Sequence, residues 1–229
     1  MNQPIVERLR VVVFGASGMV GAAVAQVSLN DSKVESVLVV GRSSAGFTHP
    51  KLTERIVADL SDLSAIESDL MGLNACFLTI GASAAGRTEA EYARLNYDLP
   101  LSIARYLAER NPDLAINYVS GAGCDSSEHG KVMWARVKGR TENALLALPL
   151  RRATMFRLAG LVPLKGHKSK TKLYRVFYTP FSPVLPLLAR LLPGLITTPD
   201  ILGRAMIRAA QGRSQSRILE PVDIDRLGR

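Results

Sequence analysis

Residues 9–21 read Leu-Arg-Val-Val-Val-Phe-Gly-Ala-Ser-Gly-Met-Val-Gly, and no other stretch narrows the fold as much. A Val-rich apolar run is the pattern of a strand buried on both faces, and its end in glycines marks a tight turn. Gly15 permits the sharp turn, Gly18 lets the backbone come close to a bound group, and Gly21 lets the next helix pack on the strand. That helix is written in Ala22-Ala23-Val24-Ala25-Gln26-Val27. Strand, glycine turn and helix in this order aim the helix's first amides at a pyrophosphate. Gly15, Ser17, Gly18, Met19 and Val20 are therefore expected to hold a dinucleotide.

Further strands alternate with helical patterns. Val34–Val40 reads as a second buried strand, ending at Gly41-Arg42-Ser43-Ser44. About twenty residues beyond the glycines, a carboxylate selects NAD and a nearby arginine accommodates the 2′-phosphate of NADP. Glu35 lies at the wrong end of this strand and Arg42 at the right one, so Arg42 and Ser43 point to NADP, with NADPH preferred over NADH. A third strand, Glu54–Ala58, runs into Asp59-Leu60, where Asp59 is either an acceptor for the adenine amine or only a cap. A fourth, Ala75–Ile80, stops at Gly81, and the small residues 81–86 leave room for a cofactor across the strand ends.

Thr88-Glu89-Ala90-Glu91 has capping-box spacing and opens a helix to about Leu95, which restarts with Asp98 as N-cap and Pro100 in its first turn. The fifth strand, Leu114–Ser120, leads into Gly121-Ala122-Gly123, a place from which the Ser120 hydroxyl can reach a substrate. A helix from Met133 through Leu146 and a sixth strand, Ala153–Leu158, follow. Thr198-Pro199-Asp200 caps a last helix, Ile201–Ala210, and 216–220 can supply a closing strand.

Composition closes off other classes. The net charge is +9, but residues 1–150 hold 14 Lys+Arg against 16 Asp+Glu while 151–229 hold 15 against 4. Such asymmetry suits an anionic partner, yet no nucleic-acid module is present and aromatics do not interleave with the basic residues, so nucleic acid is not expected. Cys76 and Cys124 lack metal-like spacing and read as free thiols; no metal is expected. The first ten residues are not a secretory signal, and a cytoplasmic protein is expected. Basic residues 165–175 precede 14 uncharged residues with three prolines, too short to span a membrane, where roughly 18 or more are needed. Segment 165–192 is expected to wall a pocket, with weak contact to anionic membranes as the lesser alternative.

In combination, GASGMVG at 15–21, GRSS at 41–44, Asp59-Leu60, Ile80-Gly81, Asn96, Ser120, WARVKGRTE at 134–142 and Phe156-Arg157-Leu158-Ala159-Gly160 with Pro163 resemble the atypical short-chain dehydrogenase/reductase superfamily, close to its NmrA-like and Tat-interacting-protein branch. The resemblance implies an NAD(P)-binding Rossmann fold of the epimerase/dehydratase kind. It implies that Ser120 and Lys138 occupy the active-site serine and lysine positions, Lys138 on the nicotinamide ribose, with Ile80, Gly81, Asp59 and Leu60 at the cofactor. The tyrosine of the superfamily's YxxxK pattern is replaced by Trp134. A helix brings 134 and 138 to one face, but an indole can shape a substrate and has no acid to offer. Substitute acids are Ser120, Tyr97 or His129, and less well Tyr118, deeper on its strand.

The sequence thus predicts an α/β chain, a doubly wound parallel sheet over 1–229 with a small C-terminal substrate lobe at 161–215. The expected activity is that of an NADP-dependent oxidoreductase or epimerase/dehydratase-like enzyme acting on a small molecule. The alternative is an NADP(H)-sensing regulatory protein with little or no catalysis.

Overall fold

The computed structural model describes Val6, residues 8–162 and residues 196–229. Seven strands form one parallel sheet: β1 (Leu9–Phe14), β2 (Val34–Gly41), β3 (Leu52–Ile56), β4 (Ala75–Leu78), β5 (Ala115–Gly121), β6 (Arg152–Leu158) and β7 (Ile218–Leu219), in the order 3-2-1-4-5-6-7. β1 lies between β2 and β4 with Val13 opposite both Val39 and Phe77. A central parallel strand has both faces covered, which is why Val11–Phe14 are buried without a polar alternate.

Six helices cover the two faces among the described residues: α1 (Met19–Asn30), α2 (Glu89–Ala93), α3 (Leu99–Arg110), α4 (Met133–Leu146), α5 (Pro199–Ala210) and α6 (Pro221–Gly228). One core joins Val11, Val13, Val37, Val39 and Phe77 to Val24, Leu202, Met206 and Ile224 of α1, α5 and α6. The other joins Val12, Phe14, Leu38, Val40 and Leu78 to Ile103, Leu107 and Leu145 of α3 and α4. Odd and even residues of one strand feed opposite cores, as the two-residue repeat of a strand requires. Of the segment 161–215 expected as a lobe, the described part includes α5, which lies on this sheet: Asn117 Nδ2 donates to the Met206 carbonyl at 2.7 Å. The segment 165–192, expected to wall a pocket or touch anionic membranes, lies outside the described residues.

Several expected boundaries move for identifiable reasons. β3 ends at Ile56, not Ala58, because its partner β2 ends at Gly41; the Val57 amide then donates to the Gly41 carbonyl at 2.9 Å and the chain turns. β4 ends at Leu78, not Ile80, because β1 leaves the sheet at Gly15 and offers no further partner; Thr79 instead bonds the Phe14 carbonyl through both its amide and its hydroxyl. The capping box is present: Thr88 Oγ1 accepts from the Glu91 amide and Glu91 Oε2 accepts from the Thr88 amide. Asp98 is not an N-cap. It is helical, makes no side-chain capping bond, and α2 runs into α3 through a π-helical turn, Arg94–Asp98. Pro100 has no N–H for the Asn96 carbonyl one turn back, and that carbonyl accepts from Thr141 Oγ1 at 2.8 Å and Tyr118 OH at 3.3 Å instead. The helix at Ile201 is not the last: α6 follows, capped by Glu220 with Pro221 at its start.

Candidate active site

The sheet order reverses between β1 and β4, and a parallel sheet opens a crevice outside its carboxyl ends at that point. Here it is a groove of about 990 Å³, lined among others by Gly15, Ser17, Gly18, Arg42, Ser43, Asp59, Leu60, Ile80 and Gly81. Residues expected from four separate strand ends are thus brought to one surface. At Gly15 φ is +96°, a region that L side chains avoid, and an added Cβ would lie 2.9 Å from the Thr79 carbonyl carbon. A Cβ on Gly21 would collide with the Gly15 carbonyl and Thr79 Oγ1. Gly21→Ala is therefore expected to lower stability by about 1–3 kcal/mol, the usual range for overpacking, read as a shift of the urea midpoint at constant slope.

Gly18 is the N-cap of α1 and makes no side-chain cap, and no acidic residue occupies the first turn. The first amides of α1 are consequently left for a group outside the helix, and the positive end of its dipole favours an anion. Arg42 stands exposed on the rim where β2 ends. Glu54 Oε1, on the neighbouring β3, accepts from the Ala45 amide at 2.7 Å, and Glu54 does not line the groove. Asp59 Oδ1 accepts from the Ser61 amide and hydroxyl, a local turn ahead of the helical turn that begins at Ser64, and the residue lines the groove. Those hydrogen bonds, the backbone one first, hold its carboxyl below the usual range.

A second crevice, about 250 Å³, adjoins at Thr79–Gly81 and is lined by Met19, Val20, Ser120, Lys138 and residues 158–161. Lys138 Nζ donates to Tyr118 OH at 3.2 Å. Burial works against its charge, but the phenol oxygens of Tyr118 and Tyr92 outweigh it and hold the ammonium above the usual lysine value. Asn96 supports the floor, its Oδ1 accepting from the Ala82 amide at 3.1 Å.

Two features lay beyond the sequence reading. Ser120 Oγ donates to Oε1 of Glu142, a residue with no exposed surface, and Glu142 is gripped by Arg157 through Nη2 at 2.6 Å and Nε at 3.2 Å. Arg157 also reaches Ser126 and Glu220, tying α4, β6 and the start of α6 together. Because the Ser120 hydrogen is committed to Glu142, its remaining capacity toward the crevice is to accept a hydrogen bond. The spacing Trp134, Lys138, Glu142, four residues apart on one helix, was a signal that could have found Glu142.

Trp134 does not line either crevice; its ring lies against the Gly121–Gly123 turn, where a Cβ on Gly121 would be 3.4 Å from Cζ3. It was expected beside the reacting groups and instead covers backbone, because glycines leave a flat surface that the indole fills. The substitute acids fare no better. Tyr118 is fully buried with its hydroxyl spent on the Asn96 carbonyl, Tyr97 lies beneath the Arg140 guanidinium at 3.8 Å, and His129 is exposed on the 125–130 turn and lines neither crevice. Cys76 and Cys124 are buried free thiols.

Fold and groove together define a Rossmann-like α/β protein. The sequence profile of the NAD dependent epimerase/dehydratase family matches residues 11–139, and the chain belongs to that family. Among solved structures it is similar to MoeE5 in complex with UDP-glucuronic acid and NAD, at 18% identity and TM-score 0.64, over 91% of this chain and 74% of that one. It is similar to Bordetella bronchiseptica WbmF in complex with NAD+, at 13% identity and TM-score 0.65, over 96% and 77%. Helicobacter pylori ADP-L-glycero-D-manno-heptose-6-epimerase aligns at 16% identity and TM-score 0.64, over 93% and 76%. No curated protein matches the chain. No helix among the described residues is long and apolar enough to cross a membrane.

Proposed function

We propose that the chain is an NADP-dependent oxidoreductase or epimerase/dehydratase-like enzyme of atypical active site, from the NmrA-like branch, acting on a small molecule. The observation that carries this reading is the continuity of two crevices at the sheet's switch point, one with an uncapped helix N-terminus and Arg42, the other with Lys138 and Ser120. A dinucleotide fits the first: the cradle at Gly15 and Gly18 is one that side chains would obstruct, and the α1 amides and Arg42 suit its phosphates. When bound, the nicotinamide supplies hydride chemistry. Lys138 holds positive charge at the second crevice, and Ser120, backed by Glu142, accepts a substrate hydroxyl's hydrogen bond.

The sensor reading is favoured by one specific observation: an indole with no acid to offer replaces the YxxxK tyrosine at position 134, its ring turned to the Gly121–Gly123 backbone, and Tyr97, Tyr118 and His129 line neither crevice. Offering purified protein NADPH with a panel of aldehydes, ketones and quinones separates the two. Turnover supports the enzyme, and tight binding without turnover supports the sensor.

A further inference from the structure

The outer wall of the groove carries two cations that the reading above leaves unused. Between β4 and α2 the chain runs through Ser83, Ala84, Ala85 and Gly86, too small to fill the space, and a Cβ on Gly86 would meet nothing within 4 Å. Behind this turn a second hollow of about 480 Å³ adjoins the groove, and Arg87, Arg94 and Leu95 line both. Arg87 is oriented, its Nη1 donating to the Ser83 carbonyl at 2.6 Å, which leaves its other N–H groups for a ligand. Arg94 opens the π-helical turn, a widening that aligns it with Leu95, Asp98, Leu99 and Ser102 along the groove. Turns of this kind are frequent at functional sites.

Glu91 is the carboxylate lining the hollow, and its Oε2 is taken by the Thr88 amide and hydroxyl at 2.9 Å each. Within the hollow one carboxylate faces two guanidiniums, so one positive charge is left over there; Asp98 lines the groove side, not the hollow. Guanidinium forks match phosphate oxygens two at a time.

We propose that Arg87 and Arg94 form a binding site for an organic phosphate on the wall of the groove made by α2 and the π turn. The phosphate has two sources: the dinucleotide itself, in which case the inference rests on the cofactor reading, or a separate phosphorylated molecule seated in the second hollow. Both side chains are exposed, so Arg87→Ala/Arg94→Ala is expected to fold with an unchanged thermal midpoint, and Arg94→Gln alone carries the same comparison.

The test is calorimetric titration of wild type and variants with NADPH, and of inorganic phosphate into free and NADPH-saturated protein. The site predicts at least about tenfold weaker binding of one probe in the double variant, the effect of losing a charge-assisted contact. A loss confined to NADPH assigns the site to the dinucleotide; a loss of phosphate binding by NADPH-saturated protein assigns it to a separate ligand. Equal affinities in wild type and variant for both probes overturn the site, as does wild type that binds neither. Wild type that binds phosphate through these arginines but no NADPH refutes the cofactor reading and leaves the site standing.

Discussion

Replacing Trp134 with tyrosine is expected to raise carbonyl reduction by about 100- to 10,000-fold, the contribution of a positioned proton donor, and to leave dinucleotide affinity unchanged. Residue 134 lies one helical turn before Lys138 and beside the turn that follows Ser120 at the end of β5; the gain requires the smaller phenol to turn from the Gly121–Gly123 backbone toward the crevice that Lys138 and Ser120 line. The alternatives for delivering a proton are occupied: the Tyr118 hydroxyl is committed to the Asn96 carbonyl and receives the Lys138 ammonium. The comparison is steady-state turnover of wild type, Trp134→Tyr and Ser120→Ala on whichever carbonyl gives signal. Wild type at an ordinary enzymatic rate, with no gain from tyrosine, would show that another group donates the proton.

Glu142→Ala is expected to lower unfolding free energy by about 1–3 kcal/mol, because it takes the buried acceptor from two guanidinium nitrogens of Arg157 while the ion pair with Glu220 remains. Among the described residues Arg157 keeps Glu220 and Ser126, both more exposed than Glu142, and the Ser120 hydroxyl is left with the longer bond to the Phe156 carbonyl at 3.3 Å. Glu142→Gln retains an acceptor for Ser120 and should lose less. Urea unfolding at constant slope measures both. A loss under about 1 kcal/mol for the alanine variant, the scale of an exposed pair, would mean that Arg157 does not depend on Glu142.

What the sequence made legible follows from how local each cause is. β1, the glycine turn and α1 are neighbours in the chain, and their chemistry is written in consecutive residues, so the turn at Gly15–Gly21 was readable. The capping box at Thr88–Glu91 is equally local. The groove residues Arg42, Asp59 and Gly81 were readable because each follows a strand, and parallel strands end on the same side. Arg87 and Arg94 were not, since what makes them neighbours of the groove is the passage of α2 into α3 through a π turn, a shift that periodicity does not announce. The Ser120–Glu142–Arg157 network joins residues from β5, α4 and β6, and no local pattern says which carboxylate lies behind which hydroxyl. Trp134 shows a third limit: its position in the helix was right, but the direction of its ring depended on the flat glycine surface at Gly121–Gly123.

The groove is expected to take NADP(H) in preference to NAD(H), a preference that fluorescence titration of both reduced cofactors measures. Arg42 on the rim is expected to favour the 2′-phosphate by about 1.5–3 kcal/mol, or roughly ten- to a hundredfold, and Arg42→Ala should bring the two affinities together. NADH binding as tightly as NADPH, or a preference that survives Arg42→Ala, would contradict it.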